Sequence, residues 1–216
     1  MTATSLSQIY QTIKTANSIV ILTHMKPDGD TLGSSIALCR YLRYLGKEAS
    51  IYQRDPIPSN LSFLDTSHMV QTAPSDVDLI IAIDSSDPGR LDSRLGEFNA
   101  TLINIDHHQT NTLYGDHNYV FATASTGEII YQMLKEWGAP FDQETMDALY
   151  TAIATDTNRF YYRSTSAETH RAVADLIDQG LEPIKLNTLI YGQIPLEKKK
   201  LQAYALQSAQ IQSDDQ

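Results

Sequence analysis

Eight residues in four short segments carry the donor groups from which hydrolytic or metal chemistry could be built. "HMKPDGD" supplies His24, Asp28 and Asp30 just after the apolar run Ser18-Ile19-Val20-Ile21-Leu22, and Asp84 follows "DLIIAI". "TLINI" runs straight into Asp106, His107 and His108, while Asp156 stands in "ATDTNRF" near Ile153. All are hard oxygen or imidazole donors, a set that suits Mn²⁺, Mg²⁺ or a similar ion rather than a soft-metal site. Each segment also has a plainer reading, since Pro27-Asp28-Gly29 is a turn signal and Asp84 could cap a following helix. Three titratable groups leaving one apolar run are harder to explain that way. So is a carboxylate among apolar helix residues, where burial is costly unless it is bound or hydrogen-bonded. Together the segments point to one metal site.

The spacing in "HxxxDxD" is informative. It predicts Asp28 and Asp30 at alternate positions of an extended loop, able to reach different ions, with His24 returning from the strand tip and Gly29 allowing a close turn. Gly33, Ser34 and Ser35 are then expected to open a helix with small side chains and free N–H groups suited to phosphate.

The elements that must position these groups follow from periodicity. Leu6, Ile9, Tyr10 and Ile13 predict a short helix before a strand at Ser18 to Thr23, and Leu32 to Leu45 reads as a helix stopped by Gly46. Glu48 to Gln53, Asp78 to Ile83 and Thr101 to Ile105 read as strands. Asp87 and Pro88 look like a helix start, and Ser125 to Glu128 has capping-box spacing. Helices are expected over Glu144 to about Thr157, Ala167 to Gln179, Pro183 to Tyr191 and Pro195 to about Gln207. Strands alternating with helices imply an α/β fold: an open, mainly parallel sheet flanked by helices, with a helical C-terminal part. Buried parallel strands read as continuous apolar runs, and ligands gather outside their carboxyl ends.

Bulk properties narrow the partners. The formal net charge of −10 offers no positive field for a long polyanion, so a nucleic-acid partner should be short. Cys39 is the only cysteine, which rules out an intramolecular disulfide and suits the cytoplasm. No apolar run approaches the ~20 residues of a spanning helix, and no secretory leader pattern opens the chain. His68, His117 and His170 read as surface or structural residues, Trp137 as core, and Lys198 to Lys200 as a solvated helix face. Tyr161, Tyr162 and Arg163 could stack on a base or close the core, with core packing preferred.

Four ordered segments, "HMKPDGDTLGS", "IAIDSSDPGRL", "INIDHHQTN" and "IATDTNRFYY", resemble the DHH phosphoesterases, the family named for the motif standing here as Asp106-His107-His108. The first segment and "ASTGEIIY" look most like the oligoribonuclease and 3′-phosphoadenosine-5′-phosphate phosphatase branch. The resemblance implies that His24, Asp28 and Asp84 hold one divalent ion and that Asp30, Asp84, His107 and Asp156 hold another, with Asp84 between them. Mn²⁺ is the expected ion, with Mg²⁺ or Co²⁺ as alternatives. By the same resemblance His108 is a substrate-side group, Asp106 orients a ligand histidine, Ser34 contacts phosphate, and Arg90 either contacts phosphate or pairs with a nearby carboxylate.

The implied activity is two-metal hydrolysis of short single-stranded RNA or DNA oligonucleotides, of 3′-phosphoadenosine-5′-phosphate, or of both. A cyclic- or linear-dinucleotide phosphodiesterase, or a weakly active module that binds metal and nucleotide, stands as the alternative. Relatives are often homodimers. Asn158 replaces a glycine common in the family, and asparagine tolerates left-handed backbone. Residues 1–194 are expected to form the catalytic domain. Residues 195–216, ending in "AQIQSDDQ", are expected to be a linker helix and the start of a smaller substrate-gripping domain absent here.

Overall fold

The apolar runs become the strands of one sheet. The computed structural model describes residues 4–209 apart from 73, 75, 92–94, 96–97 and 193–195. Within them lie β1 (Ser18–Leu22), β2 (Glu48–Tyr52), β3 (Met69–Val70), β4 (Leu79–Ile83), β5 (Thr101–Asp106) and β6 (His117–Val120). All neighbours pair in parallel, in the order β3-β2-β1-β4-β5-β6. The chain builds outward from β1 to one edge, then returns to β4 and builds to the other. The carboxyl ends of β1 and β4 therefore flank a topological switch point, where an open parallel sheet leaves a crevice.

Alternation along the strands divides the core. Ile19, Ile21, Leu79, Ile81, Ile83, Ile103 and Ile105 enter the larger cluster with residues from the helices. Val20, Leu22, Ile80 and Ala82 face a smaller cluster that includes Tyr52 and Leu91. The helices are α1 (Leu6–Thr15), α2 (Gly29–Tyr44), α3 (Thr126–Glu136), α4 (Gln143–Asp156), α5 (Ala167–Asp178), α6 (Pro183–Asn187) and α7 (Leu196–Ser208). Among the described residues, none is long and apolar enough to cross a membrane.

Close helix packing explains the glycines near the motifs. A Cβ on Gly33 would collide with the Ala148 carbonyl oxygen, one on Gly127 with Ala152, and one on Gly29 with the Thr155 side chain. Without those side chains α2 and α3 close directly onto α4, which carries Asp156 at its end.

Several expectations need correction. α2 starts at Gly29, not Leu32, so Asp28 is its N-cap and Asp30 lies in its first turn rather than in an extended loop. The Gly33-Ser34-Ser35 segment consequently sits inside the helix, where its N–H groups are not free ends. Asp87 does cap, but it opens only a single 3₁₀ turn, Pro88–Arg90. Ser125 caps α3 by accepting from the Glu128 N–H, whereas the buried Glu128 carboxylate accepts from Thr169 Oγ1 instead of closing the box. α6 ends at Asn187 and widens into a π turn over Thr188–Gly192.

β3 and β6 were not anticipated. Tyr161 and Tyr162 are 83% and 53% exposed, against the preference for core packing. Trp137 packs against the large cluster, and His170 lies against the Phe160 ring. α7 carries Lys198 to Lys200 and buries no residue. The expected helix start at Pro195 and the turn over residues 210–216 lie outside the described residues.

Candidate metal centre

The carboxyl ends of β1, β4 and β5 and the last turn of α4 converge on one cluster. Asp84 follows β4 with a left-handed backbone, φ 58°, a conformation costing an aspartate about 1–3 kcal/mol unless its surroundings enforce it. Its N–H still donates to the Ile105 carbonyl at 3.0 Å. Asp84 Oδ2 lies 3.6 Å from His24 Nε2, and Oδ1 lies 3.6 Å from His107 Nε2. One carboxylate thus faces two histidines through different oxygens.

Around these contacts the donors form overlapping groups. His24 Nε2 is also 3.6 Å from Asp28 Oδ2, and His107 Nε2 is 3.9 Å from Asp30 Oδ2 and 3.5 Å from Asp156 Oδ2. Two donors about 2.1 Å from a common ion lie about 3–4 Å apart, so these spacings are too long for hydrogen bonds but right for shared coordination. The compact sets are His24 with Asp28 and Asp84, Asp30 with His107 and Asp156, and Asp84 with His107 and His108. His107 Nε2 is buried without a hydrogen-bond partner while facing three carboxylates. A buried ring nitrogen left in that position fits a cation ligand better than a structural histidine.

Supporting contacts fix the ligand orientations. His24 Nδ1 is 2.9 Å from the Met25 carbonyl and His107 Nδ1 is 3.2 Å from the Thr123 carbonyl, which places each ring N–H away from the carboxylates and leaves Nε2 turned toward them. The N–H groups of Thr126 and Gly127, at the start of α3, donate to Asp30 Oδ2 and Oδ1 at 2.7 and 2.8 Å. Thr126 Oγ1 donates to Asp84 Oδ1 at 2.9 Å. The positive end of the α3 dipole therefore bears on a buried carboxylate.

The electrostatics describe a site short of positive charge. Burial, then the carboxylates of Asp84 and Asp156, push the Asp30 carboxyl well above the ordinary range. Asp156 rises to about 6, chiefly through burial, with His107 opposing and Asp84 and Asp28 adding to the rise. Burial lowers the His24 ring, but contacts with Asp28 and Asp84 outweigh it and raise the group to about 10. Protons are drawn to the positions that divalent cations would neutralise.

Asp106 has a different partner from the one expected. It accepts from His108 Nδ1 at 2.7 Å and from Asn111 Nδ2 at 2.6 Å, so it orients His108, while His107 is held by Thr123. Asn104 Nδ2 extends this chain to Asn111 Oδ1 at 3.0 Å. The bond to Asp106 raises the His108 pKa against the opposing effect of burial. Arg90, exposed on the 3₁₀ turn, opposes that rise through its charge. Ser34 is fully buried and donates to Asp30 Oδ1 at 3.2 Å, which aims its hydroxyl at a candidate ligand rather than at open space.

Asn158 has φ 47°, followed by left-handed Arg159 and Phe160, so asparagine occupies the turn in the left-handed form that glycine would adopt. The residues that sequence reasoning missed are Thr123, Thr126, Gly127, Asn104 and Asn111. Only Asn104, a buried amide inside an apolar strand, gave a visible signal.

Comparisons with known proteins bear on family and fold. The family model described as "DHH family, N-terminal domain" matches residues 18–153. The bifunctional oligoribonuclease and PAP phosphatase NrnA of Thermus thermophilus is 36% identical over 82% of this chain and 55% of its own length. The protein of the same name from Bacillus subtilis is 28% identical over 95% of this chain and 66% of its own. The chain thus spans roughly half to two thirds of these relatives. An exopolyphosphatase-related protein from Bacteroides fragilis shares the fold, with TM-score 0.89 and 21% identity over 96% of this chain and 66% of that one.

Proposed function

The chain belongs to the DHH family, and on that premise we propose that it is a two-metal phosphoesterase acting on short oligonucleotides, on 3′-phosphoadenosine-5′-phosphate, or on both. The observation that carries the reading is Asp84, which divides its two oxygens between the His24 and His107 groups. His24, Asp28 and Asp84 would hold one ion, and Asp30, Asp84, His107 and Asp156 the other. The all-nitrogen-and-oxygen donor set favours Mn²⁺, with Mg²⁺ and Co²⁺ as alternatives. When bound, such ions neutralise phosphate charge and lower the pKa of coordinated water.

The chain's own residues do the positioning. Thr126, Gly127 and Ser34 hold Asp30 in place, and Thr126 also steadies Asp84. Asp106 occupies His108 Nδ1, so Nε2 is the atom that can hold a proton for a leaving oxygen. Arg90, whose charge reaches His108, is the residue proposed to meet a substrate phosphate. We assign the catalytic unit to residues 1–194, in keeping with an α7 that buries no residue. The buried free thiol of Cys39 accords with a reducing, cytoplasmic setting.

The experiment is Mn²⁺-dependent release of mononucleotide or phosphate from a panel comprising a short RNA, 3′-phosphoadenosine-5′-phosphate, a linear dinucleotide and pyrophosphate. Turnover of either of the first two, above pyrophosphate, is the expected result. Silence on all four by a metal-loaded chain would contradict the reading.

A further inference from the structure

The His24 ring is gripped by a peptide group that is itself gripped. His24 Nδ1 donates to the Met25 carbonyl at 2.9 Å, which leaves Nε2 to face Asp28 and Asp84. The same Met25–Lys26 peptide carries the Lys26 N–H on its other side, and this donates to Asp55 Oδ2 at 2.7 Å. A planar trans peptide fixes its N–H and C=O in opposite directions, so a carboxylate holding the one sets the direction of the other. Carboxylate, peptide and imidazole thus form one line of hydrogen bonds that ends at a candidate metal ligand.

The backbone there needs such a hold. Lys26 has φ 52°, a left-handed conformation that a lysine keeps only where its surroundings enforce it. It also precedes Pro27, whose ring restricts the residue before it. Three contacts fix the segment. The Met25 N–H donates to the Arg90 carbonyl at 2.9 Å, His24 pairs with Leu91 in an isolated antiparallel bridge, and Asp55 takes the Lys26 N–H. Of these three, only Asp55 acts through a side chain, and it is the one that touches the peptide holding His24.

Asp55 is in turn placed by the strand before it. β1 and β2 end side by side, with Leu22 opposite Tyr52, and Asp55 lies just beyond β2. Gln53 Nε2 donates to the Asp55 carbonyl at 3.0 Å, while the Gln53 amide oxygen accepts from Thr23 Oγ1. The loop after β2 therefore reaches the loop after β1 twice, just before His24 and just after it. The other group of donors is supported elsewhere. His107 Nδ1 faces the Thr123 carbonyl at 3.2 Å, and the first N–H groups of α3 hold Asp30.

We propose that Asp55 is a positioning residue for the His24 side of the metal centre, acting through the Met25–Lys26 peptide to fix the His24 ring and so tune one ion and not the other. The inference rests on the two-ion reading above and adds a residue that lies outside the ligand groups. A carboxylate polarises the peptide it binds, which makes the carbonyl a better acceptor for the ring N–H. Partners of this kind change metal affinity by about 10–100-fold when lost.

The test is calorimetric titration of Mn²⁺ into the parent chain, Asp55→Ala and Asp55→Asn, with circular dichroism checking the fold. Asp55 borders an open cavity of about 560 Å³, so its truncation admits water rather than leaving a sealed void. In Asp55→Ala one of the two Mn²⁺ dissociation constants should rise about tenfold and the other by less than about twofold. Asp55→Asn keeps an oxygen that can accept the Lys26 N–H, and should return the affected constant to within about threefold of the parent. Unchanged constants in Asp55→Ala, an equal rise in both, or an Asp55→Asn chain no better than Asp55→Ala would overturn the inference and leave the phosphoesterase reading standing. A parent chain that binds no Mn²⁺ would overturn both.

Discussion

Asp84 is the residue on which the site turns, because its oxygens address His24 and His107 separately and its backbone holds the left-handed conformation at the end of β4. Thr126 steadies that carboxylate by a buried hydroxyl bond. Thr126→Val keeps the shape and removes the donor, and should weaken Mn²⁺ binding by about 10–100-fold, the usual cost of losing an outer contact to a ligand; isothermal titration reads it. Asp156 gives a pH prediction. Its raised pKa means that its ionised form weakens the metal-free fold, so stability is lost as pH rises from the ordinary carboxylate range through about 6. Metal-free Asp156→Asn should therefore be more stable than the parent at pH 8, by about 1–2 kcal/mol after allowance for partial exposure, and the gap should close toward pH 4. Urea titrations at both pH values check the sign. The eight donor residues could be picked out from the sequence because charged groups leaving apolar runs are anomalous there. Thr123, Thr126 and Gly127 could not, since they act through carbonyl, N–H and hydroxyl groups that any polar loop contains.

At the scale of elements, the site depends on three helices approaching without intervening side chains. A Cβ added at Gly127 would come within 2.4 Å of the Ala152 side chain, and its absence lets α3 both touch α4 and donate its first N–H groups to Asp30. Gly127→Ala should cost about 1–3 kcal/mol by overpacking and also weaken metal binding, because α3 must move away from the carboxylate it caps. Unfolding by urea and Mn²⁺ titration should shift together; loss of stability with unchanged affinity would separate the helix contact from the site. The strands β1, β4 and β5 were legible because their residues form largely apolar or β-branched runs. β3 has two residues and β6 reads "HNYV", too short and too polar for periodicity to detect. The start of α2 was hidden because Asp28-Gly29 is a turn signal in isolation, whereas here Asp28 turns the chain by accepting from the Asp30 and Thr31 N–H groups as an N-cap.

For the whole molecule, the parallel order β3-β2-β1-β4-β5-β6 gathers motifs from distant parts of the chain at one switch point. The net charge of −10 would repel an anionic substrate unless cations at that point reverse the local sign. Saturating Mn²⁺ should accordingly raise the melting temperature, since only the folded state assembles the ligands, and scanning fluorimetry across a metal titration reads the effect. The fold class followed from the alternation of strands and helices. The pairing of Asp106 with His108 did not, because adjacent histidines in a sequence carry no sign of which one turns back toward the aspartate. The most direct measurement is the number of Mn²⁺ ions bound per chain at saturation, by elemental analysis after dialysis, in the parent and in Asp84→Ala. Two ions in the parent and none retained in a folded Asp84→Ala chain is the expected result; two ions retained without Asp84 would contradict the account.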